Sequence, residues 1–517
     1  MPAPDRRHFL TGTAAVVLVP QIFSQPVGAQ QQPTGALAFL HAILQDGTKF
    51  EPAVVVEAAR LLSRRPYQPP TTAIPEPFSS LNAESYQAIK HRPERLIWGD
   101  ENRGIVLEPL HRGFLFATPV SLSLVEDGIV KRIAYDANRY NFGKLNVASQ
   151  NADLGFSGFK ILQQGDAMRE LASFQGASFF KSMAKGQTAG LVARGLALKT
   201  GDARGEEFPI FRAFWIERPA ADGVVVIHAI ADSESATAAF RFTMRAADIT
   251  IVDTEVTIFA RTTLDHVGFS PMQATFLFAA NKRRNVDDLR PAVHEASGLQ
   301  MLNGRGEWLW RPLNNPEQLQ VSLFMDENPK GFGLAQRDRD FSNYQDDEQR
   351  FDLKPTLWIE PIGDWGAGAI QLIEIPSDSE ANDNIVVFWR PKASLAAGSE
   401  TTFAYRQFWC WTPPEKPSLA QVVSFRMGKG TTGRRRRCLV EFAGDVFSEE
   451  KPLEMKLSLN SSPGQIINPR IVHNPARKTA RVLFELDPGS ESAIELRLII
   501  EEGEKPLTET WLYRWTP

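Results

Sequence analysis

Short runs of apolar residues, separated by turn-forming residues, dominate the chain beyond residue 220 and predict β-strands. The clearest is Asp248–Ala260 (DITIVDTEVTIFA), where apolar and polar residues alternate. Its β-branched side chains suit a pleated surface. We expect Ile249, Ile251, Val256 and Ile258 to lie on buried faces of this strand.

The other predicted strands in this region are shorter and are bounded by Pro, Gly, Asn or Asp. They are Gly223–Ile230, Ala239–Met244, Gly306–Trp310, Leu319–Met325, Thr356–Glu360, Ala369–Ile375 and Ile385–Trp389. Strands at this spacing predict a large antiparallel β-sandwich. Mixed helix and loop precede it, and Pro52–Ser63 has the spacing of a helix.

The proline-rich stretch Trp411–Ser418 (WTPPEKPS) predicts a domain boundary, because proline disfavours regular structure. We place a large β-sandwich domain at residues 30–411, a linker at 412–418 and a smaller domain at 419–517. Strand patterns in the smaller domain suit an immunoglobulin-like β-sandwich. They are Leu453–Asn460, Ala480–Leu486, Ile494–Ile500 and Thr510–Trp515. The predicted fold class is therefore all-β.

The first 29 residues predict an export signal. Arg6 and Arg7 precede the apolar stretch Thr11–Phe23, and Val27–Ala29 offers small residues for cleavage. The arginine pair followed by x-Phe-Leu is typical of a twin-arginine signal. The apolar stretch is too short for a permanent membrane span, and no later segment approaches about 18 apolar residues. We therefore expect a soluble periplasmic protein without stable membrane insertion.

Charge and composition exclude several classes of function. A formal net charge of −4 argues against a nucleic-acid-binding protein, and the one basic block, Arg434–Arg437, suits a solvated loop better than an anion site. The eight histidines lack metal-binding spacing, and no phosphate loop or nucleophile elbow occurs, so we predict neither metal nor cofactor. Cys410 and Cys438 leave open a disulfide or two buried thiols. An enzyme with this sequence would work with carboxylates.

One carboxylate stands out in EANDNIVVFW, residues 380–389. Asp383 lies in a polar stretch that leads directly into the apolar strand Ile385–Trp389. From these residues alone, Asp383 either ends a turn or has a chemical role. A carboxyl group at the start of an apolar strand can be partly desolvated, which favours the protonated acid.

Seven longer phrases occur in order through the middle of the chain. They are DLGFSGFK (153–160), FQGASFF (174–180), ARGLAL (193–198), GEEFPIFRAFW (205–215), GEWLWRPLNNP (306–316), NPKGFGLAQRDRDFSNYQD (328–346) and EPIGDWGAG (360–368). The chain resembles the periplasmic glucan biosynthesis proteins OpgG and OpgD, also called MdoG and MdoD, from about Pro52 to the C-terminus. The twin-arginine-like signal is more similar to OpgD. The resemblance implies a large β-sandwich followed by a smaller immunoglobulin-like domain.

The resemblance also implies a role in making osmoregulated periplasmic glucans, whose backbone is β-1,2-linked glucose. Some members cut this backbone with inversion, and related members transfer the cut chain. Their general acid lies in a D-N-I-V motif, which here begins at Asp383. Their base lies in His-Asp-Ser-Asp, where this chain has His294-Glu295-Ala296-Ser297, so that Glu295 replaces an Asp and the later Asp is absent. The expected partners are the glucan and other periplasmic glucan synthesis components.

Because Glu295 replaces the Asp of the family motif, two alternative functions are considered. Inverting hydrolysis needs an acid and a base about 6.5–9.5 Å apart, unless a proton relay joins them. One extra methylene moves the oxygens by about 1.5 Å, and a misplacement of about 1 Å can slow a reaction on the order of a hundredfold. The chain is therefore either an enzyme acting on β-1,2-glucan or a non-catalytic glucan-binding or scaffold protein that assists synthesis or branching.

Aromatic residues near these motifs predict a sugar-binding cleft, because aromatic faces stack on the apolar faces of pyranose rings. Tyr344 and Trp365, in polar or Gly-rich surroundings, are the preferred candidates, and Phe351 is a third. Arg337 is expected either to contact sugar hydroxyls or to belong to a salt-bridge network. The remaining aromatic residues of the region are expected in the core.

Overall fold

Strands contain 48% of the residues and helices 11%, which confirms the all-β fold class. This computed structural model describes residues 35–145, 147, 153–165, 167–280, 283, 286–415, 417–448 and 454–517. The predicted export signal lies outside the described residues. In the described part of the chain, no helix is long and apolar enough to cross a membrane.

The chain divides into two compact units. Unit 1 contains the described residues up to Lys185 together with Val192–Pro271 and Phe388–Gln407. Unit 2 contains Gly186–Leu191, Met272–Val387 and Phe408–Pro517. The boundaries that we inferred from the proline-rich stretch, and the immunoglobulin-like topology of the C-terminal part, stay predictions.

The described α-helices lie in unit 1 and are α1 (Gly35–Ile43), α2 (Pro52–Ser63) and α3 (Ala83–Ala88). The helix predicted at Pro52–Ser63 is confirmed. Proline suits the first turn of α2, where its missing N–H has no intrahelical partner. Val55, Ala58 and Leu62 are buried at helical spacing and belong to a core shared with strands of unit 1.

The strands of unit 1 between residues 90 and 260 pair mostly in an antiparallel manner. They are β1 (Lys90–His91), β2 (Ile105–His111), β3 (Ser121–Glu126), β4 (Ile129–Arg132), β5 (Tyr140–Asn141), β6 (Phe156–Gln163), β7 (Arg169–Gln175), β8 (Phe179–Ser182), β9 (Val192–Arg194), β10 (Ala197–Leu198), β11 (Ile210–Glu217), β12 (Val225–Asp232), β13 (Ala236–Ala246) and β14 (Thr250–Ala260). One sheet has the order β2-β6-β7-β8-β9, and another has the order β4-β3-β11-β12-β13-β14, in which β3 and β11 are parallel.

A phenylalanine core joins these two sheets of unit 1 into a sandwich. Phe159 of β6 meets Phe214 of β11 with ring centroids 5.0 Å apart, and Phe174 of β7 meets Phe242 of β13 at 5.4 Å. All four rings are almost completely buried. Large aromatic side chains bury much apolar surface, so this layer contributes strongly to the stability of unit 1.

The remaining strands begin with β15, which contains residues of both units. They are β15 (Val267–Ala274), β16 (Phe276–Phe278), β17 (Val293–His294), β18 (Gly298–Leu302), β19 (Trp308–Pro312), β20 (Gln320–Glu327), β21 (Gly331–Ala335), β22 (Thr356–Ile362), β23 (Ala367–Glu374), β24 (Ile385–Pro391), β25 (Glu400–Cys410), β26 (Gln421–Lys429), β27 (Arg436–Ala443), β28 (Met455–Ser462), β29 (Gln465–Asn474), β30 (Thr479–Asp487), β31 (Ile494–Glu502), β32 (Lys505–Pro506) and β33 (Thr510–Trp515).

Unit 2 contains a run of paired strands in the order β28-β31-β33-β19-β18-β21-β22, and a four-stranded sheet in the order β26-β27-β30-β29. Phe442 and Phe484 of the four-stranded sheet share one core with Leu498 and Trp511 of β31 and β33. Trp310 of β19 belongs to the same core, and β19 pairs with β33 in parallel. The C-terminal strands therefore pack together with an earlier segment of unit 2.

The strands that we predicted are present, with ends displaced by only a few residues, and Leu453, the predicted start of one of them, lies outside the described residues. Val256 and Ile258 of β14 are fully buried, as expected, whereas Ile251 of β14 and Ile249, which precedes the strand, are only half-buried. The prediction for the two isoleucines is wrong, because successive strand side chains point to opposite faces. Val252, at an even position like Val256 and Ile258, is buried in their place.

Both cysteines are free and buried. Burial raises the pKa of the Cys410 and Cys438 thiols to about 12, so both stay protonated near neutral pH. The alternative of two buried thiols is the one found in the structure.

A buried ion network in unit 1 holds the end of α2 to the sheet. Asp232 is 1% exposed and accepts hydrogen bonds from Arg212 Nη2 at 3.1 Å and Arg261 Nη1 at 2.8 Å. Arg261 also donates to the carbonyl oxygens of Leu62 at 2.8 Å and Ser63 at 3.2 Å. Because the two guanidinium groups are buried, their single carboxylate partner is essential.

Replacing Asp232 by Ala should destabilise the protein by about 3–5 kcal/mol, because two buried cations would lose their counter-charge. Chemical denaturation followed by circular dichroism measures this change. The matched control is Glu255→Ala, which breaks the ion pair of Arg241 and Glu255, whose side chains are 42% and 58% exposed. The control should cost less than about 1 kcal/mol. Equal effects of both variants would contradict the importance of the network.

Candidate functional site

The segment between β15 and β16 brings the two predicted carboxylates together. Gln273 Nε2 donates a hydrogen bond to Asp383 Oδ2. Thr275 N donates to Glu295 Oε2 at 3.1 Å, and the Thr275 hydroxyl lies 3.5 Å from Asp383 Oδ1. Asp383 and Glu295 are 88 positions apart in the sequence, yet both contact the same threonine.

These contacts limit the distance between the two carboxyl groups. The N and Oγ1 atoms of one threonine lie within about 3.7 Å of each other by ordinary covalent geometry. Together with contacts of 3.1 and 3.5 Å, this places Glu295 Oε2 and Asp383 Oδ1 within about 10 Å. The limit includes the spacing of about 6.5–9.5 Å that inverting hydrolases use. Both residues are half-buried, so solvent reaches each of them.

Backbone pairing explains why Glu295 stands opposite Thr275. Strands β16 and β17 are antiparallel, with Phe276 paired to His294. The next backbone hydrogen bond runs from Glu295 N to Thr275 O at 2.9 Å. The rings of Phe276 and His294 stack with centroids 5.2 Å apart. Glu295 therefore directly follows a short, well-packed pair of antiparallel strands.

Asn384 fixes the backbone beside Asp383. It is 1% exposed, and its Nδ2 donates to Phe276 O at 2.9 Å and to Ile375 O at 3.0 Å. Its Oδ1 accepts from Phe276 N at 2.8 Å. The start of β24 is thereby fastened to β16 and to the end of β23. Sequence reasoning missed this role, although a buried amide before an apolar strand must find hydrogen-bond partners.

Arg290 links three loops around the candidate site. Its guanidinium donates to Asp288 at 2.7 Å and to Asp346 at 2.8 Å, and it forms an ion pair with Glu380 at 2.8 Å. Glu380 precedes Asp383 in the same loop. The hydrogen bonds from Arg290 hold the pKa of Asp288 below its usual range. This cluster gave no sequence signal, because its members come from three separate segments.

Tyr344 and Phe351 lie in a small core with Phe278 of β16 and Val293 of β17, the strand pair that Glu295 follows. Tyr344 is 0% exposed and Phe351 is 3% exposed. The ring of Tyr344 meets the ring of His294 edge-on at 5.2 Å, and its hydroxyl donates to Asp338 O at 3.2 Å. Burial raises the pKa of Tyr344 far above its usual value. Both rings are packed against protein, and their contact with a sugar stays a prediction.

The other two predicted sugar contacts are also engaged with protein. Trp365 is 9% exposed and meets Phe332 edge-on at 6.4 Å. Arg337 donates to both carboxylate oxygens of Glu509 at 2.6 and 2.9 Å, and its guanidinium lies 3.6 Å from the ring centroid of Trp310. Arg337 therefore forms an ion pair, which is one of the two roles that we predicted for it from the sequence.

The arrangement offers carboxylate, amide and hydroxyl groups for chemistry. Among the described residues, no group of three or more His, Cys, Asp or Glu side chains is arranged to hold a metal ion. Asp383 and Glu295 can transfer protons, while Gln273, Thr275 and Asn384 hold them in place. Groups of this kind are able to perform acid–base chemistry.

Residues 50–515 match the protein family described as "Periplasmic glucan biosynthesis protein, MdoG". The chain is 40% identical over 516 residues to "Glucans biosynthesis protein G" of Rhodopseudomonas palustris (strain BisA53), covering 99% of this chain and 100% of that protein. It is 41% identical over 518 residues to the protein of that name from Bradyrhizobium diazoefficiens, again covering 99% and 100%. It is 43% identical over 476 residues to the protein of the same name from Shewanella sp. (strain MR-4), and the match covers 90% of this chain and 87% of that protein.

The family match places this all-β protein in a glucan-related class. The chain belongs to the family of periplasmic glucan biosynthesis proteins. These three relatives carry the name of protein G, and the closer similarity to OpgD that we inferred from Arg6 and Arg7 stays a prediction.

Replacing Asn384 by Ala should destabilise the protein by at least about 2 kcal/mol, because buried backbone groups of Phe276 and Ile375 would lose their partner. Thermal and chemical unfolding measure this loss. The matched control is Asn382→Ala, since the half-buried Asn382 makes one 3.3 Å side-chain hydrogen bond to Ser377. A control variant as unstable as Asn384→Ala would contradict the anchoring role.

Proposed function

We propose that this protein acts in the periplasm on β-1,2-linked glucan, and that it cuts the backbone with inversion or transfers the cut chain. The observation that carries the proposal is the meeting of Asp383 and Glu295 at Thr275. Membership of the glucan biosynthesis family supports a glucan as the substrate. The linkage and the reaction come from the resemblance of the D-N-I-V motif.

Asp383 is proposed as the general acid. The hydroxyl of Thr275 has one proton, and the carbonyl of Asn382, at 3.1 Å, is a closer acceptor for it than Asp383 Oδ1 at 3.5 Å. The Thr275 oxygen can then accept a hydrogen bond from a protonated Asp383. Partial burial also disfavours the charged carboxylate. Because Asp383 Oδ2 accepts a hydrogen bond from Gln273 Nε2, which by itself favours the ionised form, the proton is proposed to lie on Oδ1, beside Thr275, until the glycosidic oxygen takes it.

Glu295 is proposed as the general base. The hydrogen bond from Thr275 N to Glu295 Oε2, 3.1 Å long, favours the ionised form that a base requires. In hydrolysis, Glu295 takes a proton from water, whose oxygen adds to the anomeric carbon. The bond from that carbon to the glycosidic oxygen breaks, and Asp383 protonates the departing oxygen. In transfer, a sugar hydroxyl replaces the water.

A second candidate function is a glucan-binding protein that assists glucan synthesis without cutting. The observation that favours it is Glu295 itself, whose longer side chain stands where catalytic family members have Asp. If catalysis is lost, the glucan-binding surface can still present the chain to other periplasmic components. The two candidates differ in whether purified protein changes the length of a glucan.

Chromatography of linear β-1,2-glucan digests tests the catalytic proposal. Wild type should yield shorter or rearranged chains, and Asp383→Asn should lower the rate by at least about a hundredfold, because the general acid is lost. The rate should fall at low pH as the base is protonated and at high pH as the acid loses its proton. The matched control is Asp378→Asn, an exposed carboxylate of the same loop, with an unchanged rate.

The outcomes separate the two candidates. Unchanged turnover by Asp383→Asn would remove Asp383 from the mechanism. Glucan binding by wild type without any product would favour the non-catalytic protein. Faster turnover by Glu295→Asp would show that the additional methylene limits the natural chain.

We also propose that Arg6 and Arg7 direct export by the twin-arginine route, as the signal pattern indicates. Changing both to Lys should strongly reduce the periplasmic fraction, because that route recognises the arginine pair. Cell fractionation with immunodetection measures the distribution. Asp5→Ala is the control, and it should be exported normally. Undiminished export of the Lys–Lys variant would contradict this route.

A further inference from the structure

Two of the phrases that carry the resemblance contribute none of the residues named in the candidate site. FQGASFF (174–180) and GEEFPIFRAFW (205–215) meet in unit 1, where the rings of Phe179 and Phe208 lie edge-on with centroids 6.0 Å apart. The guanidinium of Arg194 lies over both rings, 5.5 Å from the first centroid and 5.0 Å from the second. The two phrases thus build one aromatic platform.

A buried cation makes this platform rigid. Arg194 is 1% exposed and forms an ion pair with Glu206. The hydroxyl of Thr200 donates to the same carboxylate at 2.5 Å. A guanidinium over two aromatic faces is attracted by both rings. Phe179 and Phe208 are therefore fixed before any ligand arrives, which reduces the entropy lost on binding.

Three further rings continue the platform. A Cβ atom at Gly176 would lie 3.5 Å from Phe116 Cε1 and 3.7 Å from Phe179 Cδ2, so Gly176 separates these two rings without covering them. Tyr86 follows, with its centroid 5.6 Å from that of Phe116 and 6.3 Å from that of Phe114. We name Phe114, Tyr86, Phe116, Phe179 and Phe208 the aromatic row.

The aromatic row is accessible from solvent. Phe114 is 37% exposed, and the other four residues are half-buried. Phe114 has φ +52°, in the left-handed region that residues other than glycine rarely adopt. Such a conformation persists only where the surroundings enforce it, and it is typical of ligand-binding segments. At this position it presents the ring at the tip of a turn.

Polar groups flank the rings. The hydroxyl of Tyr86 accepts a hydrogen bond from Gln175 Nε2 at 2.8 Å and donates to His111 O at 2.9 Å. Lys181 lies two positions after Phe179 on β8, so it shares the same face of the strand. Lys181 and Gln175 are half-buried. The Lys181 ammonium can bind a hydroxyl group beside the rings, while Gln175 Nε2, which donates to Tyr86 and to Ser157, holds the Tyr86 ring in place.

We propose that the aromatic row of unit 1 binds several consecutive glucose units of a glucan chain. A pyranose offers apolar C–H faces to rings and hydroxyl groups to polar side chains at its edge, which is the combination present here. A docked protein needs a broad apolar patch of a few hundred Å², whereas a single file of rings suits a narrow chain. The choice of glucan rests on the proposed function and on the family's description.

Calorimetric titration of the full chain with linear β-1,2-glucan oligosaccharides tests the site, with Asp383→Asn in every sample so that the ligand is not consumed. The double variant Phe116→Leu/Phe179→Leu, which keeps apolar volume but loses two rings, should bind about tenfold more weakly. Phe179→Trp, which keeps a ring, should bind like the parent. Val423→Ala, at a residue 59% exposed, is the control and should have no effect. Equal unfolding temperatures verify folding.

Each outcome decides between explanations. Unchanged affinity in the leucine variant would overturn the site, even if wild type cuts glucan. Unchanged affinity together with altered self-association in sedimentation would show a protein interface in its place. Weakened affinity in the leucine variant, with no cutting by wild type, would support the site while the catalytic proposal fails. Equal weakening by Phe179→Trp would show a packing effect and would overturn stacking.

Discussion

The hydrogen bonds of Thr275 are the interaction on which the candidate site depends. Its backbone N–H binds Glu295, and its hydroxyl lies beside Asp383 and the carbonyl of Asn382. A single residue thereby relates two carboxyl groups from distant segments. Catalysis by an acid and a base requires such a fixed relation, because small displacements of reacting groups slow proton transfer greatly. The rest of the site serves to keep Thr275 and its two partners in register.

Buried polar side chains supply that support. Asn384 satisfies backbone groups of two strands, and Arg290 joins three loops through carboxylates. In unit 1, Arg212, Arg261 and Arg194 hold strands and aromatic rings in the same manner. A buried cation or amide is unfavourable unless its partners are correctly placed. These residues therefore favour one arrangement of the loops over others. This effect is separate from any stability that they contribute.

Much of the architecture follows from local sequence patterns. Helix α2 and the strands from β12 onward carry apolar residues at the spacing of their elements. The D-N-I-V motif indicates Asp383 as the candidate general acid. The pattern of apolar residues does not predict correctly which side chains of a strand face the core. Ile249 and Ile251 resemble core residues, but the alternation in β14 is set by the strand's pairing with β13, and this turns Val252 inward.

Burial and hydrogen-bond partners depend on residues that are far apart in the chain. Tyr344 stands in a polar stretch of sequence, yet Phe278, Val293 and Phe351 enclose it. Arg337 finds Glu509, which is 172 positions later. The sequence by itself therefore determined the all-β class and the family and supplied the two candidate carboxylates, because those signals are local. Only the tertiary structure decided that the carboxylates meet at Thr275, since that contact joins segments that are far apart in the chain and lie next to different sheets.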